Sequence, residues 1–231
     1  LLFEPDGWTW CLSNPDTLAL LKAVRDELIE LCGPGDLFHL GCDEPYSYLT
    51  CDTCRRRDGA RVFADFINGI AAEMKEQGRR VMIWGDALLR PSDWQPPICA
   101  TGRDIPDALS LLDRDIVIAD WQYSIHDPKD ATRTPKHFMD MGFDTVLCPW
   151  HVWPNVRALN AGAKSIGAMG VLATTWHHLP EYIGLLPSSA SLMWGAPEGR
   201  IRHTETAAIL RKLVPARSYE HAGWNLREVD W

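Results

Sequence analysis

Strand-like and helix-like segments alternate along this chain, and the alternation restricts its fold more than any other feature of the sequence. Short apolar runs typical of buried strands recur at spacings of about 25 to 45 residues. Such spacing leaves room for a crossover helix between parallel strands. We therefore predict strands at residues 38–42, 80–84, 116–121, 145–148 and 171–176.

Five strand–helix units fit either an open parallel sheet or part of an eight-stranded (β/α)8 TIM barrel. A whole barrel usually needs about 250 residues, and this chain has 231. No linker, internal repeat or low-complexity segment divides the sequence. We predict a single α/β domain over residues 1–231, with the architecture of a partial barrel.

Helix boundaries are marked by capping and stop residues. The first helix is predicted to begin after Asn14, with Pro15 in its first turn, and to end at Gly33. Apolar residues recur along it at three- and four-residue spacing and form one apolar face: Leu18, Leu21, Val24, Leu28 and Leu31. Further helices are predicted at residues 60–77, 135–141, 156–169 and 203–213.

Composition excludes several classes of partner. The formal net charge is −8, and the only basic run, at residues 55–57, is too short for a nucleic-acid-binding patch. No apolar stretch has the length of a membrane span, and no secretory signal is visible. Because the seven cysteines are odd in number and dispersed, we expect a reduced, cytoplasmic protein. The oligomeric state is not indicated.

Cys51 and Cys54 have the spacing of half a zinc site or of a redox pair. No second Cys-x-x-Cys and no His-x-x-x-His completes a tetrahedral ligand set in the sequence. A loop closed by a local disulfide, or a pair of unlinked thiols, is favoured over metal or redox chemistry at this pair. We predict no metal site and no cofactor.

Two adjacent carboxylates follow the first predicted strand. Residues 38–45 read Phe-His-Leu-Gly-Cys-Asp-Glu-Pro, which places Asp43 and Glu44 at the carboxyl end of a strand, where α/β proteins build active sites. Neighbouring carboxylates resist ionising together, so one pKa is raised, which suits an acid catalyst. A solvated turn is the structural alternative for an Asp-Glu-Pro sequence.

Aromatic residues follow three other predicted strands. Eleven tryptophans are present in the chain, and tryptophan suits both a large core and the stacking of flat sugar rings. If the sheet is parallel, its carboxyl ends converge on one face. The residues expected there around the two acids are Trp84, Asp86, Trp121, Tyr123 and Trp176. Aromatic walls around carboxylates are what glycosidase chemistry needs.

The segment at residues 38–44 resembles the His-x-Gly-x-Asp-Glu signature of glycoside hydrolase family 20, the β-N-acetylhexosaminidases. Its cysteine before the acid pair is similar to the hexosaminidase D branch. The resemblance continues in order through residues 81–86, 121–123 and 170–176, and covers about residues 14–194. It implies a (β/α)8 barrel of which this chain supplies the last five units, strands four to eight, without the first three.

The resemblance implies a retaining exo-β-N-acetylhexosaminidase with substrate-assisted catalysis, in which the sugar's acetamido oxygen is the nucleophile. Asp43 would orient the acetamido group, and Glu44 would protonate the leaving oxygen. Terminal N-acetylglucosamine or N-acetylgalactosamine is the implied substrate. The substrate-binding residues implied by this mapping are His39, Trp84, Asp86, Trp121, Tyr123 and Trp176, with His39 in a supporting role.

Two strand exits depart from the family pattern. Many members carry Tyr-x-Asp after strand seven, where residues 148–153 here read Cys-Pro-Trp-His-Val-Trp; Tyr123 or Tyr46 could substitute for that tyrosine. Many members also carry Trp-x-Glu after strand eight, where this chain has Trp-His-His at residues 176–178.

Two other functions remain open from the sequence. The departures, together with the missing front of the barrel, suit a carbohydrate-binding or structural barrel fragment without turnover. A metal-dependent hydrolase is also possible, with hard ligands from Asp43, Glu44, Asp86 and His178.

Overall fold

The computed structural model describes residues 3–150, 152–176 and 185–195, together with residues 208 and 212. Five parallel strands form one sheet in the order of the sequence, β1-β2-β3-β4-β5. A sheet whose neighbouring strands are also consecutive and parallel is the arrangement of a barrel wall. The strands are β1 (Leu37–His39), β2 (Arg80–Trp84), β3 (Val117–Trp121), β4 (Asp144–Cys148) and β5 (Gly170–Val171).

An α-helix lies between the strands of every consecutive pair except β2 and β3, which are connected through 3-10 helices. The α-helices are α1 (Pro15–Cys32), α2 (Gly59–Glu76), α3 (Arg133–Asp140), α4 (Trp153–Ile166) and α5 (Leu185–Met193). Short 3-10 helices lie at Asp86–Leu88, Pro106–Ser110 and Asp130–Thr132. None of the helices in the described part of the chain is long and apolar enough to cross a membrane. The helix predicted at residues 203–213 lies outside the described residues apart from 208 and 212.

The first helix has the predicted caps. The Asn14 side chain accepts a hydrogen bond of 2.8 Å from the Asp16 amide, and Gly33 ends the helix with a φ of 70°. Its apolar face, however, is not buried by the described residues: Val24 is 47% and Leu31 is 74% exposed. The buried residues of α1 are polar, namely Thr17 and Arg25.

The two faces of the sheet have different surroundings. Side chains that alternate along the strands, such as Ile83, Ile118 and Leu147, join the main core, which packs against α2, α3 and α4. This helix-covered side is called the outer face below. The opposite, inner face carries a smaller cluster composed of Met82, Trp84, Val117, Ala119, Val146 and Cys148, with Trp121 packed against it.

Two strands end earlier than predicted. We expected residues 38–42 and 171–176 to be strands, but β1 ends at His39 and β5 at Val171. After β1 the chain enters the left-handed region at Gly41 (φ 79°) and Cys42 (φ 74°), which is incompatible with extended structure. Backbone hydrogen bonds nevertheless continue the pairing past both ends, for example from the Leu40 amide to the Met82 carbonyl and from the Leu172 amide to the Leu147 carbonyl.

Candidate active site

The chain turns sharply at the acid pair. Gly41, Cys42 and Glu44 all have positive φ, with 46° at Glu44. In a regular strand consecutive side chains point to opposite faces, so this left-handed backbone removes that constraint from Asp43 and Glu44. Asp43 is exposed, and Glu44 is half-buried. The expected end of the strand before the pair is therefore confirmed, by a turn that begins three residues earlier than expected.

Asp86 lies directly beneath the acid pair and holds its backbone. The Glu44 amide donates to Asp86 Oδ2 at 3.0 Å, the Thr101 hydroxyl donates to the same oxygen, and Trp121 Nε1 donates to Oδ1 at 3.0 Å. Asp86 is only 1% exposed. Burial raises the pKa of its carboxyl, although the three donors act in the opposite direction. We predicted substrate contact for Asp86, whereas its oxygens are engaged by protein donors.

The Glu44 side chain is held by an aromatic neighbour. The Tyr46 hydroxyl donates to Glu44 Oε1 at 2.9 Å. Partial burial and the bond to that carboxylate raise the pKa of Tyr46 to about 12. From a distant part of the chain, Trp8 Nε1 donates to the Glu44 carbonyl oxygen at 2.8 Å. Nothing in the local sequence around Trp8 pointed to this contact, since 36 residues separate the two.

Asp43 differs electrostatically from an isolated aspartate. Partial burial raises its pKa above the usual value, and the neighbouring Glu44 carboxylate adds to the rise. A raised carboxyl pKa was expected from the adjacent acids, whereas at Asp43 burial is the larger cause and the neighbouring carboxylate the smaller one. The charge of Asp43 also reaches Tyr123, whose pKa is raised mainly by burial; the hydrogen bonds with Thr174 and Trp176 lower it, and the charges of Cys148 and Asp43 raise it further.

An aromatic wall rises beside the two acids. The centroid of the Trp84 ring lies 4.3 Å from the centroid of the His39 imidazole and 5.5 Å from that of the Trp176 ring. Trp176 donates its indole N–H to the Tyr123 hydroxyl, and Tyr123 lies 5.0 Å from the ring of Trp121. The five aromatic residues predicted for the site, His39 included, are thus connected through contacts between described residues.

His39 is a neutral support within this wall. Its Nδ1 accepts a hydrogen bond of 2.9 Å from the Gly41 amide, which assigns the ring proton to Nε2. Burial lowers the pKa of His39 to about 4, so the imidazole is uncharged at neutral pH. The bond holds the backbone at Gly41, two residues before Asp43, and the supporting role expected for His39 stays a prediction.

Tyr123 and Tyr46, the two possible substitutes for the family tyrosine, occupy different places. Tyr123 lies in the wall, where its hydroxyl accepts from Thr174 Oγ1 at 3.2 Å as well as from Trp176, and Trp150 packs 5.2 Å from its ring. Tyr46 lies at the surface on Glu44. His177 and His178 are outside the described residues, and with His178 so is one of the four ligands considered for a metal-dependent hydrolase.

These features define a class: a partial (β/α)8 barrel with an acid pair and an aromatic wall at the carboxyl ends of its strands. The sequence matches the family described as "Glycosyl hydrolase family 20, catalytic domain" over residues 1–154. The chain belongs to glycosyl hydrolase family 20, as the signature predicted. Comparison with curated proteins finds no match.

Solved structures agree on the fold. The chain is similar to a β-N-acetylhexosaminidase from Bacteroides fragilis, with 16% identity, a TM-score of 0.55 and coverage of 94% of this chain and 47% of the other. It is also similar to an exo-β-N-acetylglucosaminidase from Vibrio harveyi in complex with N-acetylglucosamine, with 14% identity, a TM-score of 0.54 and coverage of 96% and 37%. The chain thus spans less than half the length of either protein. The predicted fold class is confirmed.

Proposed function

We propose that this chain carries the catalytic acids of a retaining exo-β-N-acetylhexosaminidase that removes terminal β-linked N-acetylglucosamine or N-acetylgalactosamine. The single observation that carries the proposal is the turn at Asp43 and Glu44, locked by the bond from the Glu44 amide to buried Asp86. A turn built only for solubility would not need a buried carboxylate, which is unfavourable unless its oxygens are bonded. Family membership supports the same reaction class.

In the proposed mechanism the substrate supplies its own nucleophile. The acetamido oxygen attacks the anomeric carbon while Glu44 donates a proton to the leaving glycosidic oxygen. Asp43 accepts the acetamido N–H and stabilises the positive charge of the cyclic intermediate. Glu44 then takes a proton from the attacking water, which opens the ring with retention. The two acids are adjacent because the acetamido group and the leaving oxygen are on neighbouring carbons.

Other residues would position these groups and the sugar. Trp84 and Trp176, whose ring centroids are 5.5 Å apart, would offer aromatic surfaces to the sugar ring and the acetamido methyl. Tyr123, whose hydroxyl lies at the wall beside Trp176, binds the acetamido carbonyl. Asp86 acts as a positioning residue that orients the Glu44 backbone, and Tyr46 fixes the Glu44 carboxylate between turnovers.

The reaction is tested by release of nitrophenol from its N-acetyl-β-glucosaminide and galactosaminide. General acid catalysis contributes about 10²–10⁴-fold, so Glu44→Gln is expected to lose that much turnover while retaining its fold and its affinity for the sugar product. The matched control is Glu30→Gln, which removes one exposed carboxylate of α1 and should leave the rate unchanged. Equal turnover in Glu44→Gln and the parent would contradict the assignment.

A second candidate is a carbohydrate-binding fragment without turnover. It is favoured by the coverage of less than half of the solved relatives and by the exposed apolar face of α1. The same assay separates the two functions when sugar binding is measured in parallel by calorimetry. Binding without release of nitrophenol would support the fragment, and turnover that Asp43→Asn abolishes would exclude it.

The proposed cellular location is the cytoplasm. All seven cysteines are free thiols, so no disulfide closes the loop between Cys51 and Cys54. Free thiols are typical of reducing compartments. A carbohydrate is the only partner we propose from the site, and the number of subunits is left open.

A further inference from the structure

Four side chains that the proposed hydrolysis does not use converge at the start of the chain. Their ligand atoms, from Glu4, Cys11, Cys51 and Cys54, all lie within 4.8 Å of one another. Cys11 Sγ is 3.5 Å from Cys54 Sγ and 3.8 Å from Cys51 Sγ. We propose that these three thiolates and one carboxylate bind a single structural zinc ion. The proposal does not depend on the hydrolase activity.

The sulfur spacing is that of a tetrahedral thiolate site. Zinc–sulfur bonds are about 2.3 Å long, and a tetrahedral angle then places two ligating sulfurs about 3.8 Å apart. The two measured sulfur separations are 3.5 and 3.8 Å, so little movement is needed to admit the ion. The Cys-x-x-Cys spacing of Cys51 and Cys54 is itself that of a zinc half-site.

Glu4 supplies the observation that requires a cation. It is 1% exposed, and its Oε2 accepts from the Cys51 amide at 2.6 Å and from Thr50 Oγ1 at 3.3 Å. The other oxygen, Oε1, is buried and has no hydrogen-bond partner among the described residues. No ion pair in the described part of the chain includes Glu4. A buried carboxylate oxygen without a partner is unfavourable, and a metal ion removes that cost.

The ligand types and their burial select the metal and its role. Thiolates favour zinc over magnesium or calcium, which prefer oxygen ligands throughout. Cys54 is fully buried and Cys11 is 5% exposed, and four protein ligands complete a tetrahedral shell. A closed four-ligand shell is characteristic of structural zinc, whereas catalytic zinc keeps a position open for water.

The ion would fasten the N-terminal segment to the loop that follows the acid pair. Residues 3–11 contribute Glu4 and Cys11, and residues 45–58 contribute the other two cysteines. Further contacts join the same two segments: Ser47 Oγ donates to Thr9 Oγ1 at 3.0 Å, and Trp8 donates to the Glu44 carbonyl. Zinc would therefore hold together the N-terminal segment, which contacts the Glu44 carbonyl, and the loop that follows Glu44 in the chain.

The test is the metal content of the purified chain, expressed with zinc supplied and measured by inductively coupled plasma mass spectrometry. We expect about one zinc per chain in the parent and loss of that zinc in Cys11→Ser and Cys54→Ser. Cys32→Ser is the matched control, because Cys32 is an exposed thiol at the end of α1, and it should keep the metal. Equal zinc in Cys11→Ser and the parent would overturn the site, as would a parent chain free of zinc.

A second measurement does not depend on the folding of a variant. Zinc is removed from the parent chain and replaced by Co²⁺, whose thiolate complexes give intense charge-transfer absorption and whose d–d bands report tetrahedral geometry. Both signals are expected at one equivalent of cobalt, and Glu4→Gln should weaken binding while retaining the thiolate bands. Absence of charge transfer, or an intact mass two hydrogens lighter that reveals a Cys11–Cys54 disulfide, would refute the proposal.

Discussion

The two faces of the sheet are built from the same strands but carry different kinds of residue. On the outer face, Ile83, Ile118 and Leu147 pack against three helices in a continuous core. On the inner face, a small apolar cluster supports Trp84 and Trp121, which lead up to the aromatic wall and the acids. The outer face therefore supplies most of the described core, and the inner face leads to the groups for which we propose a catalytic or substrate-binding role.

Because successive side chains of a strand point to opposite faces of the sheet, residues that stabilise the core and residues that lie near the candidate site can alternate along one strand. Neighbouring residues of β3 illustrate this, because Asp120 is buried against α3 by the Thr134 hydroxyl while Trp121 reaches Asp86 beneath the acids. Both residues carry polar groups at the carboxyl end of β3. Because they are adjacent, their side chains point to opposite faces, and only Trp121 lies near the site. Substitutions on the outer face should change unfolding, and those on the inner face should change turnover.

The largest expected effect is on the outer face, at Phe138. Its ring is fully buried and lies so close to Gly85 that a Cβ there would be 3.0 Å from Phe138 Cε2. Phe138→Ala should lower the free energy of unfolding by about 3–5 kcal/mol, measured by urea denaturation. Met141→Ala, at a residue 37% exposed, is the control, with an effect within about 0.5 kcal/mol. A loss of under about 1 kcal/mol in Phe138→Ala would contradict the described core.

A smaller effect, visible as pH dependence, is expected at Asp120. Burial raises the pKa of Asp120 to about 6, whereas an unfolded aspartate titrates near 3.9. Because the folded pKa is the higher one, this group's contribution to stability is greatest below about pH 4 and declines as the pH rises to about 6. The free energy of unfolding of Asp120→Asn, relative to the parent, should therefore increase by roughly 1–3 kcal/mol over that window.

The measurement is a series of urea unfolding curves between pH 4 and pH 7.5, approximately, for the parent and Asp120→Asn. Asp65→Asn, which removes an exposed carboxylate of α2, is the matched control for loss of one charge. A difference between Asp120→Asn and the parent that stays constant with pH would contradict the raised pKa of Asp120.

The smallest effects come from two tyrosine hydroxyls, one for each face. Tyr123→Phe removes the acceptor of Trp176 and Thr174 in the wall, and at roughly 1 kcal/mol per hydrogen bond it should lower kcat/KM on the nitrophenyl substrate about fivefold. Tyr48→Phe removes a bond of 2.9 Å to the Gly59 carbonyl in the outer core and should lower stability by about 1 kcal/mol with kcat/KM unchanged. A lower kcat/KM in Tyr48→Phe together with an unchanged kcat/KM in Tyr123→Phe would contradict the different roles that we give to the two faces.

The central strands could be predicted from the sequence because their signal is local. Residues 80–84 match β2, and the predictions for β3 and β4 are each within one residue of the observed strand. Continuous apolar runs are typical of strands buried on both faces, and a single window of sequence contains them. The end of β1 was missed because Cys42 has a positive φ, and cysteine carries none of the turn signals that glycine or asparagine gives.

The sequence predicted which residues gather at the carboxyl-end edge of the sheet, but not the hydrogen bonds between them. Trp84, Trp121, Tyr123 and Trp176 were found because each follows a strand whose carboxyl end reaches the same edge. The role of Asp86 was not, since its partners Glu44 and Thr101 lie 42 and 15 residues away. For the same reason we predicted no metal site from the sequence, because the partners of Cys51 are remote: it lies 40 residues from Cys11 and 47 from Glu4.

The left-handed backbone at Cys42 and Glu44 has an evolutionary consequence. Each non-glycine residue in that conformation costs roughly 1–2 kcal/mol, and the fold would be relieved of it by glycine or asparagine. At Glu44 the proposed acid chemistry would oppose that replacement. A gene copy released from selection for this chemistry is therefore expected to relax at Glu44, and the loss of the acid would accompany a gain in stability.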